Sequence, residues 1–160
     1  MKFKTVAIAI LALSLPAWCA PNAGAAFDSL KGLTGQWQVK DPSGKMQTIT
    51  WQLISGGSVL MESMEEESMV TMYHVDKDHL MLTHYCSAHN QPRMQGQVSD
   101  DGKTFTFDFL DATNLASPAD PHMHKLVLTI LDKDHFTEKW FFSINGKDND
   151  HGVLQFTRKK

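Results

Sequence analysis

The feature that most constrains this 160-residue chain is the spacing of its turn chemistry. From residue 41 onward, clusters of Gly, Pro, Asn, Asp and Ser recur about every ten residues, among them Asp41 to Gly44, Asp76-Lys77-Asp78, Asp100-Asp101-Gly102 and Asn145 to Asn149. Between them apolar and polar residues alternate, a period of two that belongs to strands, since a helix repeats every 3.6 residues. The pattern predicts ten strands, at 36–40, 46–54, 57–66, 69–75, 79–86, 93–99, 103–110, 122–131, 135–143 and 150–158. Consecutive antiparallel strands leave two open edges, and closing into an up-and-down barrel removes both. The expected fold is therefore all-β: a closed antiparallel barrel of about ten strands.

The first 25 residues read differently. Lys2 and Lys4 precede an apolar run, Val6 to Leu15, too short to span a bilayer, and Ala23-Gly24-Ala25 offers a small-x-small cleavage site. Trp18 stands where a lipoprotein signal before Cys19 needs a small residue. The expectation is a signal peptide over 1–25, a periplasmic or secreted product, and one domain over 26–160. That domain would open with a short helical turn from Phe27 to Leu33, capped by Asp28 or Ser29.

The formal net charge is −3, and it becomes more acidic once Lys2 and Lys4 are removed. With no extended basic patch, nucleic acid is not an expected partner. Nothing after the leader is long and apolar enough to be a membrane helix. Cys86 loses its only possible intrachain partner with Cys19, which excludes a disulfide framework. It reads as a buried thiol, with an intermolecular bridge or metal ligation as alternatives.

At the start of the first strand, Gly35-Gln36-Trp37 follows the helical turn and resembles the G-x-W signature of the lipocalins and their calycin relatives. In that family an arginine on the last strand packs over the tryptophan, and Arg158 stands in that place. Gly35, Trp37 and Arg158 are thus expected to be structural. Ten strands bring the chain nearer to the fatty-acid-binding and nitrobindin-like barrels than to true lipocalins. The resemblance implies a small hydrophobic ligand.

In an up-and-down barrel alternate turns share an end. The second, fourth, sixth and eighth turns are tight, whereas the two longest connections, 87–92 and 111–121, fall at the opposite end. Binding residues are expected at that loop-rich mouth. His74, His79 and His135 flank tight turns at the far end, and His151 lies beside a surface loop. His84 and Cys86 end one strand, His89 and Asn90 follow in the loop, and His122 and His124 open another strand. Strand alternation turns His84, Cys86, His122 and His124 toward the lumen. Imidazole and thiolate suit a transition metal or haem iron, although no cofactor is required by the pattern. The alternative is that these histidines hydrogen-bond loop carbonyls, Asn90 and Asn114 and order the rim.

Arg93 would meet a ligand head group if it pointed inward, but Met94, Gly96 and Val98 compete for the inner face. Phe105, Phe107, Phe109, Phe136, Trp140 and Phe142 would line the lumen, with Met61, Met72 and Met94. Of these, Phe107, Phe109 and Trp140 join the ligand-binding set. Glu138 has inward parity and needs a buried partner, expected to be a luminal histidine. His84, Cys86 and Asn90 could be recast as a catalytic set, but no helix activates the thiol, and the sequence is not read as an enzyme. The leading reading is an exported barrel for a hydrophobic or amphipathic small molecule. Its alternatives are a haem- or metal-binding barrel, and an interaction module with a filled core.

Overall fold

The computed structural model describes residues 22–160 except Pro42. The expected leader falls outside the described residues but for its last four positions. Ten antiparallel strands close a barrel in the order β1-β10-β9-β8-β7-β6-β5-β4-β3-β2. They are β1 (Gly35–Lys40), β2 (Met46–Ile54), β3 (Val59–Met64), β4 (Met69–Asp76), β5 (His79–Tyr85), β6 (Gln91–Val98), β7 (Thr104–Thr113), β8 (His122–Asp132), β9 (His135–Ile144) and β10 (Lys147–Arg158). Every strand predicted from turn spacing is present. No helix among the described residues is long and apolar enough to cross a membrane.

The helix differs from expectation. It runs over Ala23–Lys31 (α1), and Asn22 rather than Asp28 or Ser29 caps it, its side-chain oxygen accepting from the Ala25 amide at 2.9 Å. Ala23 and Ala25 of the expected cleavage site are strong helix formers, Gly24 falls in the first turn, and an Asn ahead of them is a strong N-cap. Asp28 instead pairs with Lys31 one turn on. Ala26, Phe27 and Leu30 bury one stripe of α1 against the tight-turn end of the barrel, and Leu33 follows them in.

At that end Arg158 ties β10 to the helix exit. Its guanidinium lies 4.1 Å from the Trp37 ring centre and donates to the carbonyls of Thr34, Gly32 and Lys133 at 3.0, 2.9 and 2.9 Å. Trp37 Nε1 donates to Leu33 O at 2.7 Å. Gly35, at φ +132°, lies where a Cβ would stand 3.0 Å from the arginine.

Above this plug the lumen is filled. Phe105, Phe107, Leu126, Leu128, Phe136, Phe156, Trp51 and Tyr73 are buried, with stacked and edge-to-face ring contacts from Trp37 through Phe136 to Phe156. Met61 and Met72 pair with each other on the parity opposite to buried Glu62 and Thr71, so the expectation that they line the lumen is corrected. Phe107 belongs to this packed floor and reaches no cavity wall.

Candidate functional site

Space remains at the other end. A cavity of about 130 Å³ opens at the end that carries the longer loops, lined by residues outside them. Its walls are Val39, Ile49, Met64, Met69, Met123, Trp140, Leu154 and Phe156, with His84 at the side and Asp41, Gln47, Glu67 and His151 at the polar edge. Gln47 donates to the carboxylates of Asp41 (3.1 Å) and Glu67 (3.4 Å), so its amide hydrogens are engaged. The Ser43 hydroxyl, then backbone amides of Lys45 and Ser43 and the Gln47 amide, hold the Asp41 carboxyl below its ordinary range. No Lys or Arg is among the described residues lining the cavity.

Beside the cavity runs a buried polar rung. Trp51, Glu62, Thr71 and His84 are successive cross-strand partners on β2, β3, β4 and β5, all turned inward. Thr71 Oγ1 and His84 Nδ1 are 2.9 Å apart, and the His84 ring lies 4.9 Å from that of Trp140. Burial pushes the His84 imidazole down to about 4, which keeps it neutral. Tyr73 donates to Glu62 Oε2 and Trp140 Nε1 to Glu138 Oε2, each at 3.0 Å.

Glu62 and Glu138 lie close enough in the lumen for each to shift the other's carboxyl. Each retains one oxygen, Oε1, with no donor among the described residues, and one proton shared between the carboxyls meets that need. Burial, reinforced by the neighbouring Glu138 charge, drives Glu62 well above the usual carboxylate range, while burial takes Glu138 up to about 7. The inward parity of Glu138 was legible, but its partner is a second carboxyl rather than a histidine. Glu62 was missed. The signal was there in Leu60, Glu62 and Met64 sharing one face of β3.

The remaining expected site residues scatter. β8 carries a bulge: Met123 pairs with Phe142 and Lys125 with Phe141, leaving His124 unmatched. Met123 therefore takes the cavity wall, and His122 and His124 turn into a separate hollow beside Phe109, Pro118, Ser143 and Asp148. Phe109 stacks on His124 at 5.2 Å and tilts on His122 at 4.6 Å. Cys86 packs partly buried against the core, and its backbone N–H donates to Asn90 O at 3.1 Å. Asn90 is buried, tying its loop to Pro121 O at 2.8 Å. His89 is an exposed loop residue at φ +63°. Arg93 points outward to a two-pronged ion pair with Asp111. His84, Cys86, His122 and His124 do not share one cavity, and no group of three or more His, Cys, Asp or Glu among the described residues is placed to hold a metal. A second bulge, between Asp150 and Val153 on β10, carries His151 and Gly152 to the cavity edge, a shift that strand alternation did not foresee.

A closed ten-stranded up-and-down β-barrel, plugged at one end and hollow at the other, is the class that fold and site define. Among solved structures the chain is similar to the crystal structure of Rv2717c from M. tuberculosis, with a TM-score of 0.51 at 16% identity, over 84% of this chain and 98% of that one. That likeness is one of fold. No protein-family model and no curated protein sequence matches the chain.

Proposed function

We propose that this barrel binds a compact, mostly apolar small molecule in the mouth cavity, between the Trp140–His84 wall and the Asp41–Gln47–Glu67 edge. The observation that carries the reading is the apolar hollow of about 130 Å³ at the loop-rich end of an otherwise packed barrel. Drug-sized ligands occupy about 300–1,000 Å³, whereas a cavity near 150 Å³ takes a benzene-sized ring. A long acyl chain or a porphyrin exceeds the cavity. With acidic groups at the edge and Arg93 turned away, a neutral or cationic head group is favoured over a carboxylate. The helix–Gly35–Gln36–Trp37 entry and Arg158 support kinship with the calycins. The basic and apolar leader supports action outside the cytoplasm.

Titration with benzyl alcohol, benzylamine and benzoate, followed by calorimetry and Trp140 fluorescence, tests this. The alcohol or amine is expected to bind at least tenfold more tightly than benzoate, and Met69→Trp, which fills the cavity, to abolish binding with the barrel intact. Binding of all three probes unchanged by Met69→Trp, or of none, overturns the reading.

A further inference from the structure

The rim hollow around His122 and His124 has a geometry that the luminal reading does not use. His122 Nδ1 lies 2.7 Å from the carbonyl oxygen of Asp120. A carbonyl only accepts, so Nδ1 carries the proton, and in the neutral ring Nε2 keeps its lone pair. That Nε2 faces His124 Nδ1 at 3.3 Å, and the far nitrogen of His124, Nε2, lies 4.0 Å from the Asp148 carboxylate. The outer nitrogen of His122 is thus held by a carbonyl, the outer nitrogen of His124 faces a carboxylate at ion-pair range, and the two inner nitrogens face each other. Backing of this kind, from a carbonyl or carboxylate, orients metal-binding histidines and fixes their tautomers.

The separation is itself informative. Two nitrogens bound at about 2.0–2.1 Å to a tetrahedral ion stand about 3.3–3.4 Å apart, while adjacent positions of a square-planar ion stand at about 2.9 Å. Along a regular strand, residues two apart are spaced by nearly 7 Å. Here the bulge at His124 and the flanking Phe109 ring bring the two inner nitrogens to 3.3 Å. His122 is buried and His124 half exposed, so one face of the pair is open to solvent.

We propose that His122 Nε2 and His124 Nδ1 form a two-nitrogen chelate for a tetrahedral divalent ion, zinc by its geometry. The Asp120 carbonyl holds the first ring, the Asp148 carboxylate stands behind the second at 4.0 Å, and the open coordination positions are left to water or an outside donor. The site is independent of the luminal cavity. The competing use of the same atoms is an N–H···N hydrogen bond from His124 to His122, long for such a bond.

The test uses the full chain without an added tag. Zn²⁺ titration by calorimetry is expected to give one ion per chain, and Co²⁺ to give the intense visible absorption of a tetrahedral site. His124→Ala is expected to remove both signals. Asp148→Asn, a positioning variant on an exposed strand end, is expected to weaken Zn²⁺ at least tenfold with unchanged thermal unfolding. Absence of saturable binding, equal affinity in His124→Ala or in Asp148→Asn, or a weak octahedral cobalt spectrum overturns the proposal. Because neither variant touches the cavity, benzyl alcohol binding is unchanged in both.

Discussion

Glu62 on β3 and Glu138 on β9 meet inside the barrel as a buried carboxyl pair, each held by an aromatic donor, Tyr73 for the first and Trp140 for the second. Two buried carboxylates so close cannot both ionise without large loss, and the pair titrates as a unit.

The pair makes stability fall as pH rises. Both folded carboxyls sit above the ordinary value of 4.5, Glu138 at about 7 and Glu62 raised in the same direction by burial and the Glu138 charge. Below about pH 4.5 both states are protonated and stability is complete. As pH rises, the unfolded chain releases protons that the folded chain retains, and the loss from Glu138 is complete once pH passes 7. For Glu138 that is on the order of 3 kcal/mol. Glu138→Gln keeps an acceptor for Trp140 and supplies a donor to Glu62, so it is expected to flatten the fall between pH 5 and 8. Urea unfolding across that range measures it, and an undiminished slope in the variant refutes the account.

His84 acts with the opposite sign. Its folded pKa of about 4 lies below the free value of 6.5, so its contribution is complete above 6.5 and is lost as pH falls toward 4. Between about pH 4.5 and 6.5 the histidine slope opposes that of the two carboxyls, so the wild-type profile is expected to fall less steeply with rising pH there than that of a variant without His84. His84→Gln is expected to remove the acid-side loss alone, leaving stability that rises continuously as pH falls. A variant that still loses stability below pH 6 shows that another group is responsible.

The barrel was legible because its turns are local chemistry. Asp-Lys-Asp and Asp-Asp-Gly end strands whatever surrounds them, and alternation between them sets which side chains face in. The same rule failed where the ladder slips. The β8 bulge at His124 and the β10 bulge at His151 and Gly152 each depend on the facing strand, so counting by twos sent His122 and His124 to the lumen and left His151 outside. Glu62 was hidden differently. It stands three residues before the Glu65-Glu66-Glu67 run, and an acidic neighbourhood reads as a solvated strand end, although β3 carries Glu62 inward and only the following turn is exposed.

Gly96 on β6 tests how tightly the floor is packed. It faces Phe107 on β7, and a Cβ there would stand 2.7 Å from the Phe107 ring and 3.2 Å from Leu80. Gly96→Ala is expected to destabilise by about 1–3 kcal/mol, because Phe107 and Leu80 are buried and have nowhere to move. Pairing it with Phe107→Leu is expected to recover part of the loss relative to the sum of the single changes. Additive single and double variants in urea unfolding would show that the ring is not the obstacle.

Arg158 closes the plugged end through direction as much as charge. Three of its N–H groups reach three separate carbonyls, of Thr34, Gly32 and Lys133, while its plane covers Trp37. Asp134 lies 3.7 Å away, so some charge pairing survives any cationic replacement. Lysine has a single ammonium on a flexible stem, which cannot satisfy the Thr34 and Gly32 carbonyls together or stack flat on the indole. Arg158→Lys is therefore expected to lose about 2–3 kcal/mol, within the range for charge-assisted hydrogen bonds plus a ring contact. Gly35→Ala is expected to lower stability through the same contact, since its Cβ would press on Nη1 and its φ of +132° is strained for alanine. If the lysine variant unfolds at the wild-type urea midpoint, charge alone holds β10 to the helix exit and the directional bonds contribute nothing measurable.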